Sequence, residues 1–260
     1  GELDLGQAIR VICTRSTAQG MTRGTGRMAA VGLSETAMKD ALAELGDGLD
    51  VEVAGINSPD NVTISGSLND LERIGTHLEP RGIFFRLLDL DYAFHSRQMD
   101  PIEALLAESL ADLSPVPSGG ATFVSTVTGG LLEGAVLEAD YWWRNVRQPV
   151  RFAEAMAKLV DLGCRVFVEI GPHAILQRYI GECLKVANVQ GRVLPSLRKD
   201  DDGIQRLQEA VLCIHLLAEI PRLDVYFPVP GRHVRLPNYP WQRERHWHSV
   251  TSESHHVLEH

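Results

Sequence analysis

The chain contains 260 residues, of which 34 are acidic and 25 are basic, so its formal net charge is −9. Nucleic-acid binding needs a cationic surface that neutralises phosphates, so this charge balance argues against that class of function. No run of roughly 18 apolar residues occurs and no cationic leader opens the sequence, so we expect a cytoplasmic protein without a membrane span. The cysteines are scattered, which predicts free thiols and no metal site.

The first part of the chain predicts one helix and then a compact α/β unit. Apolar residues recur at helical spacing from Leu5 to about Gln19, with Asp4 as a possible N-cap, and a glycine-rich stretch follows. Residues 27–31, 51–54, 62–65 and 83–90 have strand patterns, and residues 34–45 and 68–78 have helical patterns. This β-α-β-β-α-β order predicts a ferredoxin-like small subdomain over residues 26–91.

The rest of the chain alternates between helices and strands. Helices are predicted at 102–113, 152–160, 175–185 and 204–220, and strands at 122–127, 164–170 and 192–197. This alternation indicates an α/β layer with parallel strand pairing. From residue 221 prolines and large aromatics replace the periodic patterns, so we expect an extended segment that buries Tyr239, Trp241 and Trp247 against a neighbouring surface.

His95 stands between the predicted strand 83–90 and the predicted helix that begins near Pro101. A neutral imidazole at such a junction can face a cleft and accept a proton near neutral pH. The alternative interpretation is a structural histidine, since the chain contains ten histidines in all.

Several short motifs then occur in a fixed order along the chain. They are Cys13–Ser16, Gly26–Val31, Asn57–Pro59, Ile64–Gly66, Tyr92–Ser96, Tyr141–Trp142, Asn145, Pro149–Phe152, Glu169–His173, Pro195–Arg198 and Leu236–Gln242. Together they resemble the acyltransferase domains of type I polyketide synthases and, more distantly, the malonyl-CoA:acyl-carrier-protein transacylases.

The resemblance implies an α/β fold with two subdomains. An incomplete α/β-hydrolase-like large subdomain would comprise residues 1–25 and 92–220, with the ferredoxin-like small subdomain over residues 26–91. Residues 221–250 would form the linker that follows the acyltransferase. Residues 251–260 resemble the end of that linker and a purification-tag remnant, and we therefore expect the chain to be a piece of a longer protein.

The resemblance also implies a Ser-His ping-pong mechanism with no bound cofactor. A serine attacks the thioester of an acyl-CoA, and the phosphopantetheine thiol of an acyl carrier protein then takes the acyl group. His95 would be the general base, and its second ring nitrogen would donate to a backbone carbonyl at Asn145, which fixes the tautomer.

Two further residues match substrate-binding positions of the family. Arg15 would bind the free carboxylate of the extender unit, because a guanidinium holds a carboxylate with two charge-assisted hydrogen bonds. Its alternative is a surface charge on the first helix. Asn57 matches a position at the edge of the cleft, although a turn residue before Pro59 is an equally good interpretation.

The sequence before His95 bears on the choice of substrate. In this family a Phe before the histidine accompanies malonyl selectivity, and a Ser accompanies methylmalonyl selectivity. The chain has Tyr92-Ala93-Phe94-His95, which mixes the two signatures. Because the Phe94 ring would crowd an α-methyl branch, we expect selectivity for malonyl. Tyr92 belongs to the methylmalonyl signature, and a single methyl group provides only about 1–3 kcal/mol of discrimination between substrates.

The nucleophile motif of the family, Gly-His-Ser-x-Gly, does not occur in the sequence. We therefore expect the isolated chain to be inactive, with the N-terminal acyltransferase segment supplied as a separate chain or lying outside this sequence. Other expected partners are malonyl-CoA, the carrier protein, and the flanking ketosynthase and linker. Arg144, Arg147 and Arg151 are either a carrier-protein surface or a solvated basic face. Two alternatives for the whole chain stay open: a catalytically inactive scaffold, or an α/β hydrolase acting on acyl thioesters.

Overall fold

The computed structural model of the protein describes residues 2–117, 120–132, 136–201, 203–217, 229, 231–232 and 234–242. The contacts between residues divide the chain into one compact unit up to residue 219 and a second from residue 220 onward. Among the described residues, no helix is long and apolar enough to cross a membrane.

The first helix, α1 (Leu5–Gly20), begins at Asp4 as the sequence predicts. The Asp4 carboxylate accepts the backbone N–H of Gln7 at 2.7 Å, and the Gln7 side chain accepts the backbone N–H of Asp4 at 3.3 Å. This reciprocal capping box satisfies two N–H groups that have no partner inside the helix. The cap therefore fixes where α1 starts, and with it the helical position of Arg15.

The following elements form the main sheet of the molecule. They are β1 (Arg27–Val31), α2 (Glu35–Glu44), β2 (Val51–Ser58), β3 (Asn61–Gly66), α3 (Leu68–Leu78) and β4 (Phe85–Leu87). The predicted β-α-β-β-α-β order is present, and these strands are arranged β4-β1-β3-β2 with antiparallel neighbours. β4 is shorter than the predicted strand 83–90, because only residues 85–87 pair with β1.

One face of this sheet packs on the two helices between its strands. Val31, Val62 and Ile64 from the sheet and Leu71 and Ile74 from α3 are all 0% exposed. These positions alternate along the strands and recur at helical spacing along α3, as a half-buried sheet covered by a helix requires. The stretch therefore carries its own apolar core.

The remaining elements continue the first unit. They are a 3₁₀ helix (Arg97–Ile102), α4 (Glu103–Ser109), β5 (Phe123–Ser125), β6 (Gly130–Leu132), α5 (Ala139–Arg147), β7 (Val150–Arg151), α6 (Phe152–Asp161), β8 (Val166–Glu169), α7 (Gln177–Val186), β9 (Arg192–Pro195) and α8 (Gly203–Leu217). The predicted helix 102–113 is shorter and begins as the 3₁₀ turn, which contains Pro101. Pro101 cannot donate the N–H that an α-helical turn needs.

Strand pairing in this part follows the prediction only partly. β8 and β9 pair in parallel, as predicted, whereas β5 pairs antiparallel with β6, a strand that the sequence analysis did not identify. β7 pairs in parallel with β2 and so adds a fifth strand to the main sheet. That addition matters for the site, because it brings the end of α5 next to β2.

A second core packs α1 against three later elements of the first unit. It joins Val11 and Ala18 of α1 to Met99 of the 3₁₀ helix, Leu106 of α4 and Val146 of α5. All five are at most 1% exposed. Four elements that are distant in sequence are thus fixed against one another by close packing.

The β8–β9 pair is less well covered. Val168 in β8 is 39% exposed, and Ile170 and Ile175 just beyond it are 89% and 68% exposed. Apolar side chains on one face of β8 and just beyond its end are therefore open to solvent.

In the second unit, the prediction that Tyr239 and Trp241 are buried is wrong. Their exposed fractions are 67% and 74%. The two rings pack edge to face on each other, with centroids 5.2 Å apart, rather than into a larger apolar surface. Trp247, residues 251–260 and most of the predicted linker 221–250 lie outside the described residues.

Candidate functional site

His95 lies on a tight turn immediately before the 3₁₀ helix. Its φ of 59° is left-handed, a region that residues other than glycine seldom occupy. The neighbouring Ser96 holds the turn: its hydroxyl donates to the Ala93 carbonyl at 2.7 Å and accepts the Gln98 N–H at 3.3 Å. A strained backbone of this kind persists only where the surroundings impose it, and such positions are typical of active sites.

The imidazole is oriented by the end of α5. His95 Nδ1 lies 2.9 Å from the backbone carbonyl oxygen of Gln148. A carbonyl only accepts, so Nδ1 carries the proton and the lone pair of the neutral ring is on Nε2. The second ring nitrogen is therefore fixed as the one that can take a proton from another group.

The prediction that Asn145 supplies this carbonyl is wrong. Asn145 lies inside α5, whereas Gln148 is the residue that caps it, with an extended backbone. The Gln148 N–H still closes the helix by donating to the Arg144 carbonyl at 2.8 Å, while its own carbonyl turns away from the helix. The side-chain oxygen of Asn145 is buried without a hydrogen-bond partner among the described residues.

The surroundings keep His95 neutral. Burial, which is the largest cause, and the positive charge of Arg15 together lower the pKa of His95 from 6.5 to about 4, although the bond to Gln148 acts in the opposite direction. The imidazole is therefore unprotonated near neutral pH, which is the form that a general base needs.

Arg15 lies on the third turn of α1 and is partly buried. Burial lowers its pKa below the usual value, while the nearby Tyr141 acts to raise it. Its Nε is buried and has no hydrogen-bond partner among the described residues. The positive charge of Arg15 contributes to the lowered pKa of His95, so the two groups are close enough to interact electrostatically. A partly desolvated cation with an unused donor is suited to an anionic group.

Tyr141 forms part of the same region. It is 4% exposed, and its hydroxyl lies 2.9 Å from the Ser125 hydroxyl. Burial raises the pKa of Tyr141, so the phenol is neutral beside Arg15. In the sequence, Tyr141 belongs to the Tyr141–Trp142 motif, but no role in the site was predicted for it.

Tyr92 and Phe94 form one aromatic pair. Their rings are stacked, with centroids 4.9 Å apart and planes 10° from parallel. Phe94 also packs against the second core. The two residues of the mixed sequence signature thus form one stacked pair directly before His95 in the chain.

Asn57 makes its side-chain hydrogen bond within the main sheet. It lies within β2, so the interpretation as a turn residue is wrong. Its side-chain amide donates to the Thr63 hydroxyl at 2.8 Å across the β2–β3 hairpin. The position of Asn57 at the edge of the substrate cleft stays a prediction.

A network of charges missed by the sequence analysis surrounds the His95 turn. Arg147 at the end of α5 is paired with Glu52 of β2 at 2.9 Å and with Asp100 at 2.6 Å. The backbone N–H of Arg97 donates to the same Glu52 at 2.9 Å. A glutamate in the alternating pattern of a strand is normally solvent-facing, so its sequence gave no sign of these partners.

The three arginines considered for a carrier-protein surface all have acidic partners within the chain. Arg144 is paired with Asp140 at 3.0 Å, Arg151 is paired with Glu154 at 2.8 Å, and Arg147 is in the network above. These ion pairs neutralise much of the basic face that the sequence presents.

Comparison with known proteins identifies the class. A family described as the acyl transferase domain matches residues 1–219. The chain therefore belongs to the acyl transferase domain family, and the resemblance read from its motifs is confirmed.

The curated relatives are polyketide synthases. The chain is 34% identical over 249 residues to erythronolide synthase EryA2 of Saccharopolyspora erythraea, covering 95% of this chain and 7% of that protein. It is 35% identical over 256 residues to polyketide synthase GfsA of Streptomyces halstedii, covering 98% of this chain and 3% of that protein. The chain thus spans a small part of these relatives.

Solved structures agree with this assignment. The acyltransferase domain from module 8 of the salinomycin polyketide synthase matches with a TM-score of 0.77 and 30% identity, covering 81% of this chain and 49% of that one. A malonyl-CoA:acyl-carrier-protein transacylase from Clostridium perfringens matches with a TM-score of 0.71 and 23% identity, covering 85% and 68%. The second match shows that the α/β fold is shared.

Proposed function

We propose that this chain is the part of a polyketide synthase acyltransferase that carries the general base and the carboxylate-binding residue. The reaction is transfer of a malonyl unit from CoA to the phosphopantetheine thiol of an acyl carrier protein. The observation that carries the proposal is the His95–Gln148 bond at 2.9 Å, which leaves a neutral imidazole with Nε2 as the acceptor, and the electrostatic effect of Arg15 on His95 supports it. No bound cofactor is needed for this chemistry.

His95 takes the proton from the attacking serine hydroxyl and gives it to the CoA thiolate that leaves as the acyl-serine forms. It then takes the proton from the thiol of the carrier protein and returns it to the serine oxygen when the acyl group moves to that thiol. The bond to Gln148, rather than one to Asn145, keeps the proton on Nδ1 and the acceptor on Nε2. The third member of a Ser-His-Asp triad has the same orienting role. A general base contributes about 10²–10⁴-fold to a rate.

Arg15 binds the free carboxylate of the extender unit. Its buried Nε without a partner supports this role, because a bound carboxylate would satisfy that donor. The stacked Phe94 and Tyr92 rings beside the base favour malonyl over methylmalonyl, since a branched substrate would meet a wall fixed by the aromatic pair. Asn57 is retained as a residue at the edge of the substrate cleft.

The nucleophilic serine is supplied by acyltransferase sequence that these 260 residues do not include. The sequence has no Gly-His-Ser-x-Gly motif, and the chain covers only 49% of the salinomycin acyltransferase chain. Ser96 is an unsuitable substitute because it is 1% exposed and its hydroxyl is bonded to the turn. The isolated chain should therefore leave labelled malonyl-CoA unreacted, and label on Ser16 or Ser96 would contradict this.

The fold supports a division into the two subdomains that the family implies. Strands β1 to β4 with helices α2 and α3 would make up the ferredoxin-like small subdomain over residues 26–91, while the fifth strand of the sheet, β7, comes from outside that range. Residues 1–25 and 92–220 would belong to an α/β-hydrolase-like large subdomain, followed by the linker 221–250. A cytoplasmic location and contact with a ketosynthase, its linker and a carrier protein complete the proposal.

A hydrolase acting on acyl thioesters is the second enzymatic candidate, since it shares the serine and histidine. Arg15 counts against it, because an ordinary esterase has no carboxylate to hold. A catalytically inactive scaffold accounts for the missing serine but not for a neutral histidine on a strained turn.

The test uses the acyltransferase domain that contains this chain, with radiolabelled malonyl-CoA and its carrier protein. His95→Ala should reduce malonyl transfer by about 10²–10⁴-fold. His77→Ala is the matched control, because His77 lies on α3 and contacts only Glu44 among the described residues. Full transfer by His95→Ala would overturn the proposal, and release of free malonate in place of transfer would favour the hydrolase.

Arg15→Ala tests the carboxylate-binding role in the same assay. It should lose malonyl transfer and gain acetyl transfer from acetyl-CoA, since the substrate carboxylate loses its partner. Arg10→Ala is the control on the same helix, because Arg10 is paired with Asp112 at the protein surface. An unchanged ratio of malonyl to acetyl transfer would remove Arg15 from the site.

A further inference from the structure

The His95–Gln148 hydrogen bond joins two segments that are far apart in the sequence. His95 lies on a turn before the 3₁₀ helix, and Gln148 lies at the end of α5. The bond between Nδ1 and the carbonyl at 2.9 Å requires both segments to keep their positions closely. The left-handed backbone of His95 adds strain that other contacts must hold in place.

One carboxylate contacts the chain on both sides of this bond. Glu52 accepts the backbone N–H of Arg97 at 2.9 Å, close behind His95 in the sequence. It also accepts two bonds from the Arg147 guanidinium, at 2.9 and 3.3 Å, directly before Gln148. Glu52 itself belongs to neither segment, because it lies on β2 of the main sheet.

The charges around Glu52 strengthen these contacts. The side chains of Glu52 and Arg147 are 29% and 26% exposed, so solvent screens their attraction less than it would at the open surface. Asp100 contacts Arg147 at 2.6 Å, and Asp50 contacts Arg97 at 3.2 Å. Partial burial alone would raise the pKa of Glu52, but the bonds from Arg147 and Arg97 outweigh it and keep the pKa below its usual value. Glu52 is therefore ionised near neutral pH.

We propose that Glu52 is a positioning residue that holds the His95 turn and the Gln148 carbonyl at hydrogen-bonding distance, which rests on the proposed role of His95 as the base. Glu52 does not touch the reacting atoms. It acts through the Arg97 N–H and the Arg147 guanidinium, and it makes the geometry of the base depend on β2 of the main sheet. A displacement of about 1 Å at a reacting group can cost on the order of 10²-fold in rate.

The first test needs no enzymatic activity. The chain is labelled with ¹⁵N-histidine, and His95 is assigned by comparison with a His95→Gln spectrum. In the unaltered chain the nitrogen shifts should show the proton on Nδ1, and titration should begin only near the pKa of about 4. In Glu52→Ala the tautomer should become mixed and the pKa should move up toward 6.5, because the loosened turn admits water.

Glu52→Gln removes the negative charge of the side chain but keeps its shape. Its amide oxygen can still accept the Arg97 N–H, whereas the ion pair with Arg147 is lost. We expect a smaller upward movement of the His95 titration than in Glu52→Ala. If Glu52→Ala does not fold, as judged by circular dichroism, Glu52→Gln decides the question. Glu182→Gln is the control, because Glu182 of α7 also contacts the β2–β3 hairpin, through Ser58 and Asn61, and has no contact with His95.

An unchanged tautomer and titration of His95 in a folded Glu52 variant would overturn the proposal. So would a change of the same size in Glu182→Gln, since it would show a general loss of packing.

The second test measures transfer of malonyl groups by the acyltransferase domain that contains this chain. In Glu52→Ala, kcat should fall on the order of 10²-fold, while KM for malonyl-CoA changes little because Arg15 is untouched. A rise in KM with kcat unchanged would contradict the positioning role. If His95→Ala keeps full activity, the proposed function fails, and the ¹⁵N measurement still decides whether Glu52 orients the ring.

Discussion

The main sheet and the β8–β9 sheet differ in how fully this chain covers their apolar side chains. In the main sheet, Val62 and Ile64 are 0% exposed, and so is Leu71 of the covering helix α3. At β8 and its end, Val168 is 39% and Ile170 is 89% exposed. β8 therefore has one side in a core, through Phe167 at 8% exposed, while Val168 on its other side and Ile170 beyond its end are open to solvent.

This difference shows where the stability of the chain comes from. Burial of apolar surface contributes about 25 cal/mol per Å² removed from water, so exposed side chains contribute little. The main sheet is stabilised by its own two helices. The exposed side chains of the β8–β9 region contribute less to the stability of the chain.

The largest expected effect comes from truncating one apolar residue in each region. Leu71→Ala should lower the free energy of unfolding by about 2–5 kcal/mol, because it leaves a cavity among fully buried neighbours. Ile170→Ala removes an exposed side chain and should change it by less than about 0.5 kcal/mol. Urea unfolding followed by circular dichroism measures both, and similar losses in the two variants would break the comparison.

Alanine substitutions at two glycines should change the stability of the chain in opposite directions, each by less than Leu71→Ala does. A Cβ on Gly66 of β3 would lie 1.9 Å from the Asp50 carbonyl oxygen, whereas a Cβ on Gly181 of α7 would have no atom within 4 Å. Gly66→Ala should therefore cost about 1–3 kcal/mol, as overpacking does. Gly181→Ala should stabilise the chain by about 0.5–1 kcal/mol, because alanine favours a helix interior.

Melting temperatures of the two glycine variants provide the check. A raised midpoint in Gly181→Ala together with a lowered one in Gly66→Ala is expected. A lowered midpoint in both would show that α7 is as tightly enclosed as the main sheet.

The sequence predicted best those elements whose partners are close in the chain. The order of the strands and helices from Arg27 to Leu87 followed from local periodicity and turn residues, and the Asp4 cap from a short motif. β7 joins β2 across a long stretch of intervening chain, and no local pattern indicates that pairing. Burial of Tyr239 and Trp241 was inferred from their type alone, which does not determine what covers a side chain.

The site shows the same limit. Motifs singled out His95 and Arg15 as candidates, because the chemistry proposed for them depends on residue type. The carbonyl that orients His95 was misplaced at Asn145, because that residue was taken from the family resemblance, whereas the free carbonyl belongs to Gln148, the residue at which α5 ends. Glu52 was missed because its partners come from the turn after His95 and from the end of α5.

The smallest expected effect tests the contact between the two regions. The hydroxyl of Ser58, which is 0% exposed, donates to Glu182 of α7 at 2.6 Å, and Asn61 donates to the same carboxylate at 2.8 Å. Glu182→Gln keeps the shape but loses the charge. A hydrogen bond to a charged acceptor is worth more than a neutral one, so the variant should lose about 1 kcal/mol of stability at pH 7.

The dependence on pH sharpens this last test. Partial burial alone would raise the pKa of Glu182, but the bonds from Ser58, Arg178 and Asn61 outweigh it, so its pKa in the folded chain lies below the usual value. A depressed carboxyl pKa stabilises the fold above about pH 4.3, the unfolded value, and this contribution disappears as the pH falls through the folded value. The stability difference between the unaltered chain and Glu182→Gln should therefore be full at pH 7 and shrink below about pH 4.

Glu35→Gln, which breaks an exposed pair with Lys39 on α2, is the control and should show a difference of about 0.3–0.5 kcal/mol at most. A Glu182 effect that stays constant down to low pH would mean that the carboxylate charge does not join α7 to the main sheet.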